Sequence, residues 1–384
     1  MKKNAWVLPD QVADVLPRQA RTLEVLRRGL LDVYRRHGYE LVMPPLVEYT
    51  DALLDDADDD LDLRTVKWAD AATGKTLAIS ADMTPQVARI DAHLLNRSGV
   101  TRLCYLGSVF HARASGLLTS REPMHIGAEL YGHQGLEADA EIQSLLLASL
   151  RFCQLPGLRL DVSHAQIVRA LLARAPHLLD NQEAVYVALQ AKDTAALKEL
   201  THGCDDEICM ALLALVDLYG GVEVLERARA TLPKYPEITT ALNELQALSV
   251  LDNSESVQFD LADLTGYDYH TGVMFTAYCT GMPNAIARGG RYDHIGQRFG
   301  RARPATGFSL DLREITELLP CAPAGPAISA PWTMDVALRA AVAELRAAGE
   351  VVIQVSEHQA HEEDAFVCDR ELVLDAGQWV VRVR

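Results

Sequence analysis

Cys204 and Cys209, with four residues between them and His202 alongside, come nearest in this sequence to a metal-binding pattern. A closed zinc site takes four ligands of this kind, and this run supplies three. The seven cysteines (104, 153, 204, 209, 279, 321 and 368) are scattered and odd in number, and read as reduced thiols. Six aspartates fall between Asp55 and Asp62, which raises calcium. The run lacks the glycine and the terminal glutamate of a calcium loop, so a solvated acidic loop is expected. No phosphate-cradling Walker loop, dinucleotide fingerprint or nucleophile elbow occurs. The glycine-rich RGGRYD at 288–293 carries little weight alone, because turns use glycine widely.

At 384 residues the chain exceeds the size of a single core, and two or three domains are expected. Hydrophobic residues make up 49% and charged residues 23%, as in an ordinary globular protein. Fifty-three acids against 36 bases give a net charge of −17, whose long-range field repels RNA. Two lysines open the sequence, but no apolar run follows that would make a signal peptide. No stretch of eighteen apolar residues offers a membrane span. These features point to a cytoplasmic protein without a nucleic-acid or membrane partner.

The elements that must position any site follow from periodicity and breakers. Residues 17–37 read as an amphipathic helix, with Pro17 at its first position, Leu23, Leu26, Leu30, Val33 and Tyr34 at helical spacing, and Gly38 as cap. An extended segment, 39–43, is stopped by Pro44-Pro45. A strand at 76–80 precedes a helix from Thr84 to Asn96, with Asp82 or Thr84 near its cap. Strands at 101–111 and 123–132 form a hairpin whose long loop carries Arg113, Gly116 and Arg121. A helix at 138–153 has acids at its start, as the macrodipole favours. From about 165 to 250 the chain reads as helical throughout. Strands return at 257–263, 272–280 and 284–288. Residues 320–331 hold four prolines and read as a linker. A tail follows, with a helix at 334–348 and strands near 350–355, 371–375 and 378–383. Hairpins dominate over strict strand–helix alternation, so an α+β fold on a mostly antiparallel sheet is predicted.

Five ordered segments resemble class II aminoacyl-tRNA synthetases of the histidyl branch: ISADMT (79–84), VFHARASGLLTSREPMHIGAELYG (109–132), LTGYDYHTGVMF (264–275), RGGRYDHIG (288–296) and ATGFSLDL (305–312). The resemblance covers roughly residues 7–320. It implies a class II synthetase-like antiparallel sheet flanked by helices, split as 1–164 and 253–320, around a helical insertion at 165–252. Residues 321–384 would be a linker and a truncated C-terminal α/β domain in place of an anticodon-binding domain. It further implies a histidine-like ligand held by Asp82, Thr84, His125, Glu129, Tyr269, His270 and Tyr292, with Asp82 and Glu129 suited to an ammonium group and the aromatic residues to an imidazole.

Departures from the synthetase pattern bear on activity. Synthetases of this branch use arginines to stabilise the transferring phosphoryl group. The matching positions here are His111 in motif two, Thr265 in the histidine-specific segment, and Glu314 in motif three with Arg313 one place off. His111, His125 and His270 fall near one another in this alignment, which raises a metal, although they form no known spacing motif. Arg113, Arg121 and Arg291 suit either a phosphate-bearing ligand or ion pairs. A synthetase core without these arginines and with a shortened tail resembles the regulatory subunit that accompanies the short form of ATP phosphoribosyltransferase. That resemblance implies a non-catalytic subunit without cofactor or metal. It would form a homodimer within a hetero-oligomer, be required by the short catalytic subunit, and have histidine as effector. A divergent amino-acid ligase and a sensor of uncharged tRNA are the alternatives.

Overall fold

The computed structural model describes residues 7–54, 59–114, 116, 119–250, 257–264, 269–356 and 366–384. Contacts divide the chain into two compact units, Met1–Ala13 with Leu26–Leu319, and Asp14–Val25 with Pro320–Arg384.

Among the described residues of the first unit, nine strands form the main sheet: β1 (Glu40–Val42), β2 (Thr101–Ser108), β3 (Met124–Tyr131), β4 (Arg159–His164), β5 (Tyr219–Gly220), β6 (Val257–Asp260), β7 (Val273–Tyr278), β8 (Ala287–Arg291) and β9 (Ala305–Asp311). Their order across the sheet is β1-β2-β3-β9-β8-β7-β4-β6-β5. The β1/β2 and β4/β6 pairs are parallel and the rest antiparallel. This is the class II synthetase-like α+β sheet expected from the motifs.

Both faces of β3 are buried. Ile126, Ala128 and Leu130 are buried on one face, where the helix Leu136–Cys153 packs with Leu145, Leu146 and Leu150. The helix Pro17–Arg36 begins at Pro17, as the sequence indicates, and Gly38 follows its end at φ +82°, a conformation glycine adopts without strain. Its second half buries Leu30 and Tyr34, and Tyr34 meets Phe308 edge-on at 5.9 Å between ring centroids.

A buried ion pair joins this helical layer to the sheet. Arg291, at the end of β8, forks onto Asp139 of Leu136–Cys153, Nη2 to Oδ2 at 2.7 Å and Nε to Oδ2 at 2.9 Å. Its remaining donors reach the carbonyls of His133 and Gly135 and the carboxylate of Asp293. Arg291 is therefore committed to the interior and not to a phosphate ligand.

Several elements differ from the sequence reading. The helix expected over 84–96 is α-helical only from Thr84 to Arg89; Ile90–Leu95 is a π-helix, ended by Asn96 at φ +46°. Asp91 on this turn pairs with Arg303, Nη1 to Oδ1 at 3.0 Å, so the wider turn goes with a buried long-range contact. Strand β2 stops at Ser108, and His111 makes only an isolated bridge to Thr65. Strand β4 was not expected, and β8 begins at Ala287 and not at 284. In the acidic run, Asp59–Arg64 is a short helix, while residues 55–58 lie outside the described residues.

In the second unit the proline-rich 320–331 is not wholly a linker. Gly325–Pro331 is a strand, β10, in a four-stranded sheet ordered β11-β10-β12-β13, with β11 Val352–Val355, β12 Phe366–Asp375 and β13 Gln378–Val383. Ala327, Ile328 and Ala330 supply its buried side chains, and the two prolines take the second and last positions, where missing N–H groups cost least. The helix Val336–Ala347 packs Leu338 and Val342 against Ile328, Val352 and Leu372.

Removing Arg291 would leave Asp139 buried and unpaired. Arg291→Ala is expected to lower the unfolding free energy by about 3–5 kcal/mol in urea denaturation. Pairing Arg291→Met with Asp139→Leu should recover most of that loss, since matched apolar groups need no counter-charge.

Candidate functional site: an acidic pocket floored by glycine

Opposite the helical layer, β3 presents His125, Gly127, Glu129 and Tyr131. Glu129 lies in register between Leu103 of β2 and Gly307 of β9, and Gly307 is followed across the sheet by Gly290 of β8. These glycines leave room for what crosses above them. A Cβ on Gly307 would fall 1.8 Å from Glu129 Oε2 and 2.3 Å from the Tyr292 hydroxyl. One on Gly290 would fall 2.5 Å from His270 Cδ2, and one on Gly127 would fall 2.4 Å from the Tyr105 hydroxyl. Glycine inside a strand marks such close approach.

The rim comes from two other segments. Asp82 turns the chain into the helix Thr84–Arg89, its Oδ1 accepting from the Thr84 N–H at 2.9 Å. Gln86 and Arg89 of that helix hold Glu48, at 2.8 and 2.6 Å, and Gln86 also accepts from Ser80 at 2.8 Å. The Thr84 hydroxyl is thereby set 3.4 Å from the Tyr105 hydroxyl. Across the floor Tyr269 stacks on His270 with centroids 4.4 Å apart, and both lie beside Tyr292, at 5.6 and 6.0 Å. Thus Asp82, Thr84, Glu129, Tyr269, His270 and Tyr292 gather about one glycine floor.

His125 lies elsewhere on the same face. It is four residues along β3 from Glu129, about 13 Å at the rise of a strand. Its ring is 6.3 Å from that of His111, and Asp311 is its cross-strand neighbour on β9. His111 is buried and its Nε2 lies 3.1 Å from the Ala81 carbonyl, to which it donates. Burial, aided by His125, pushes the His111 imidazole down to about 4, so it is neutral at physiological pH. Among the described residues, no group of three or more His, Cys, Asp or Glu side chains has a metal-holding arrangement. Thr265 and Asp268 lie outside the described residues.

Glu129 dominates the electrostatics. It is 1% exposed, and neither carboxylate oxygen has a hydrogen-bond partner. Burial raises its carboxyl well above the usual carboxylate range, and the charge of Asp82 adds to that rise. The Thr84 and Tyr105 hydroxyls are near enough to temper the effect but do not hold the carboxylate in hydrogen-bonding geometry. The Tyr292 hydroxyl, also buried, has no partner either. A buried acid without a hydrogen-bond partner, gathered with hydroxyls and three aromatic rings, has the chemistry to meet a small cation with a flat polar ring.

The phosphate-handling end has another character. Arg121 donates from Nε to the His111 carbonyl at 3.0 Å and lies over the Phe110 ring. Arg113 is exposed, and Arg313 pairs with Glu122 at 3.4 Å. Glu314 is pushed up to about 7 by burial and by Asp311. On the opposite face of the sheet a separate cavity of about 440 Å³ is lined by His164, Gln166, Glu237, Glu244, Arg291 and Asp293. There His164 accepts the Gln166 N–H at Nδ1, which leaves Nε2 to donate to Glu244 at 2.8 Å.

A class II synthetase-like sheet defines the class of protein. Residues 11–315 match the histidyl-tRNA synthetase family, and residues 325–382 match the ATP phosphoribosyltransferase subunit HisZ C-terminal domain. An ATP phosphoribosyltransferase regulatory subunit of Cupriavidus metallidurans is 58% identical, over 98% of this chain and 99% of that protein. One of Burkholderia ambifaria is 56% identical, over 99% of this chain and the whole of that protein. The crystal structure of an ATP phosphoribosyltransferase regulatory subunit/histidyl-tRNA synthetase from Bacillus halodurans superposes with a TM-score of 0.83 at 26% identity, covering 95% of this chain and 96% of that one. Histidyl-tRNA synthetase from Nostoc shares the fold, with a TM-score of 0.78 at 18% identity over 98% of this chain and 97% of that one. The chain belongs to the family of ATP phosphoribosyltransferase regulatory subunits.

Burial of Glu129 carries a stability signature. Above about pH 4.3, the ordinary glutamate value, the unfolded chain has released a proton that the folded chain keeps. Stability therefore falls as pH rises towards the raised folded value. Glu129→Gln, neutral throughout, is expected to be more stable than the wild type near pH 8 by roughly 1–3 kcal/mol, with the margin shrinking towards pH 5. Calorimetric melts across that range would check it.

Proposed function

We propose that this chain is a non-catalytic subunit that a separate, short ATP phosphoribosyltransferase chain requires for activity, and that it passes histidine feedback to that chain. The partner condenses ATP with phosphoribosyl pyrophosphate in the first step of histidine biosynthesis, in the cytoplasm. The observation that carries the reading is Glu129, a buried acid without a donor, over a glycine floor and beside Tyr269, His270 and Tyr292. Histidine answers both halves: its ammonium meets Glu129 with Asp82 and Thr84, and its imidazole meets the aromatic side. His125 joins the ligand set only if the ligand or a rearrangement extends towards His111.

Adenylation is disfavoured by the same residues. His111 stands where synthetases of this branch carry a phosphate-binding arginine, and its ring is tied to Ala81. Arg121 and Arg291 are committed to internal partners, and Glu314 brings an acid to the remaining arginine position. The divergent-ligase alternative needs ATP to bind among these groups. The net charge of −17 disfavours tRNA as a partner.

The expected homodimer would use residues 17–45. In support, β1 lies at an edge of the main sheet, and Leu41 and Met43 there are exposed.

Co-purification with the short catalytic chain, and its activity with and without this one, tests the reading. A partner fully active alone would refute it. Glu129→Ala is expected to raise the histidine concentration for half-inhibition by about 10–100-fold, the worth of a charge-assisted hydrogen bond, while the two chains still co-purify. The isolated chain should show no histidine-dependent exchange of pyrophosphate into ATP; exchange above a no-protein control would favour the ligase.

A further inference from the structure

Resting on the reading of this pocket as a histidine site, we propose that Glu129 holds a proton while the pocket is empty and gives it to solvent when the ligand's ammonium docks, so that effector binding is coupled to proton release.

The argument is geometric. The carboxyl group of Glu129 stands on the sheet between Leu103 and Gly307, with both oxygens buried and without a donor. An ionised carboxylate in such a position lacks both water and hydrogen bonds and is strongly disfavoured, whereas the neutral acid is tolerated. The titratable groups around it are a second acid and neutral rings, and the Thr84 and Tyr105 hydroxyls only partly offset the burial. The turn before Thr84–Arg89 brings Asp82, β2 brings Tyr105, β3 brings Tyr131, the segment after β8 brings Tyr292, and the segment before β7 brings Tyr269 and His270. The charge that acts most on Glu129 is that of a second acid, Asp82. Gly307 contributes only space.

A docking ammonium group supplies the missing charge and donors together. The exchange balances simply: the neutral acid and the ammonium ligand become a carboxylate–ammonium pair, and one proton passes to solvent. No covalent bond other than the carboxyl O–H is broken. Because the empty site holds a proton that the filled site lacks, raising the pH favours the filled site, by up to about tenfold in affinity per pH unit below the raised carboxyl value. The pocket therefore selects a primary ammonium over a neutral isostere, and feedback through it strengthens as the medium becomes more alkaline.

Calorimetric titration of the full chain with L-histidine, in two buffers of different ionisation enthalpy, measures the protons released. Near pH 8 an imidazole of ordinary pKa, about 6.5, is already neutral, so protons released on binding, up to one per histidine, are those of the carboxyl. Infrared difference spectra should show a protonated-carboxyl stretch that disappears on adding histidine. The same band should be missing from Glu129→Gln without ligand, although the calorimetry and the wild-type spectra stand without that variant. Binding with no proton release and no carboxyl band would overturn the coupling and leave the histidine site standing. Absence of binding to the full chain would overturn the coupling together with the site reading on which it rests.

Discussion

A carboxylate on the buried face of a sheet needs either a counter-charge or room for something that brings one. The main sheet uses both solutions, one on each face. On the helical side Asp139 receives the forked guanidinium of Arg291, and the interior closes around the pair. On the other side Glu129 receives no cation, and its cross-strand neighbour Gly307 adds no side chain. Two strands of one sheet, β8 and β3 on either side of β9, thus carry a finished interaction and an unfinished one. The finished pair ties the helix Leu136–Cys153 to β8. The unfinished one leaves a polar group unpaired in a sheet that could otherwise close on leucine and valine.

The same contrast explains how a synthetase-like frame can outlive synthetase chemistry. Phosphoryl stabilisation needs several guanidinium groups converging on mobile oxygens. Here Arg121, Arg291 and Arg313 are bound to backbone carbonyls, an aromatic ring or carboxylates of the chain itself. Recognition of a small ammonium compound needs much less, an acid, some hydroxyls and a shaped floor. Those requirements reside in β3, β9 and the turn before Thr84, which are also the strands and turn that hold the fold together.

Much of this architecture was legible in the residues. Pro17, the leucine period and Gly38 bracket the first helix almost to the residue. The long-looped hairpin follows from alternation and flanking polar residues. Strand β4 was missed because RLDVSH carries Asp161 and Ser163 at buried positions, so apolar content understates its burial. The strand in PCAPAGPAISAP was hidden by prolines that sit near its ends. The π-helical turn depends on Asp91 finding Arg303, a contact no local pattern announces. In the site, motif resemblance drew attention to Asp82, Thr84 and Glu129, but Tyr105 and the glycine floor were passed over. Gly127, Gly290 and Gly307 each lie inside a strand, where glycine signals close approach, and that was the available clue. The role of Arg291 was illegible because its partner lies 152 residues away.

That separation has a kinetic side. The pocket floor requires β9 to dock beside β3, and the bond from the Met124 N–H to Asp311 spans 187 residues, with the helical segments from Ala165 to Ser249 in between. Closing loops of that length costs chain entropy before any contact returns it, and topologies dominated by such pairings fold slowly. During synthesis β3 emerges long before β9, so until the last third of the main sheet arrives Glu129 stands at an open strand edge, hydrated and ionised. The final docking of β9 both seals that edge and withdraws the acid from water. The edge of β3 that β9 later covers is thus the last part of the main sheet to find its partner.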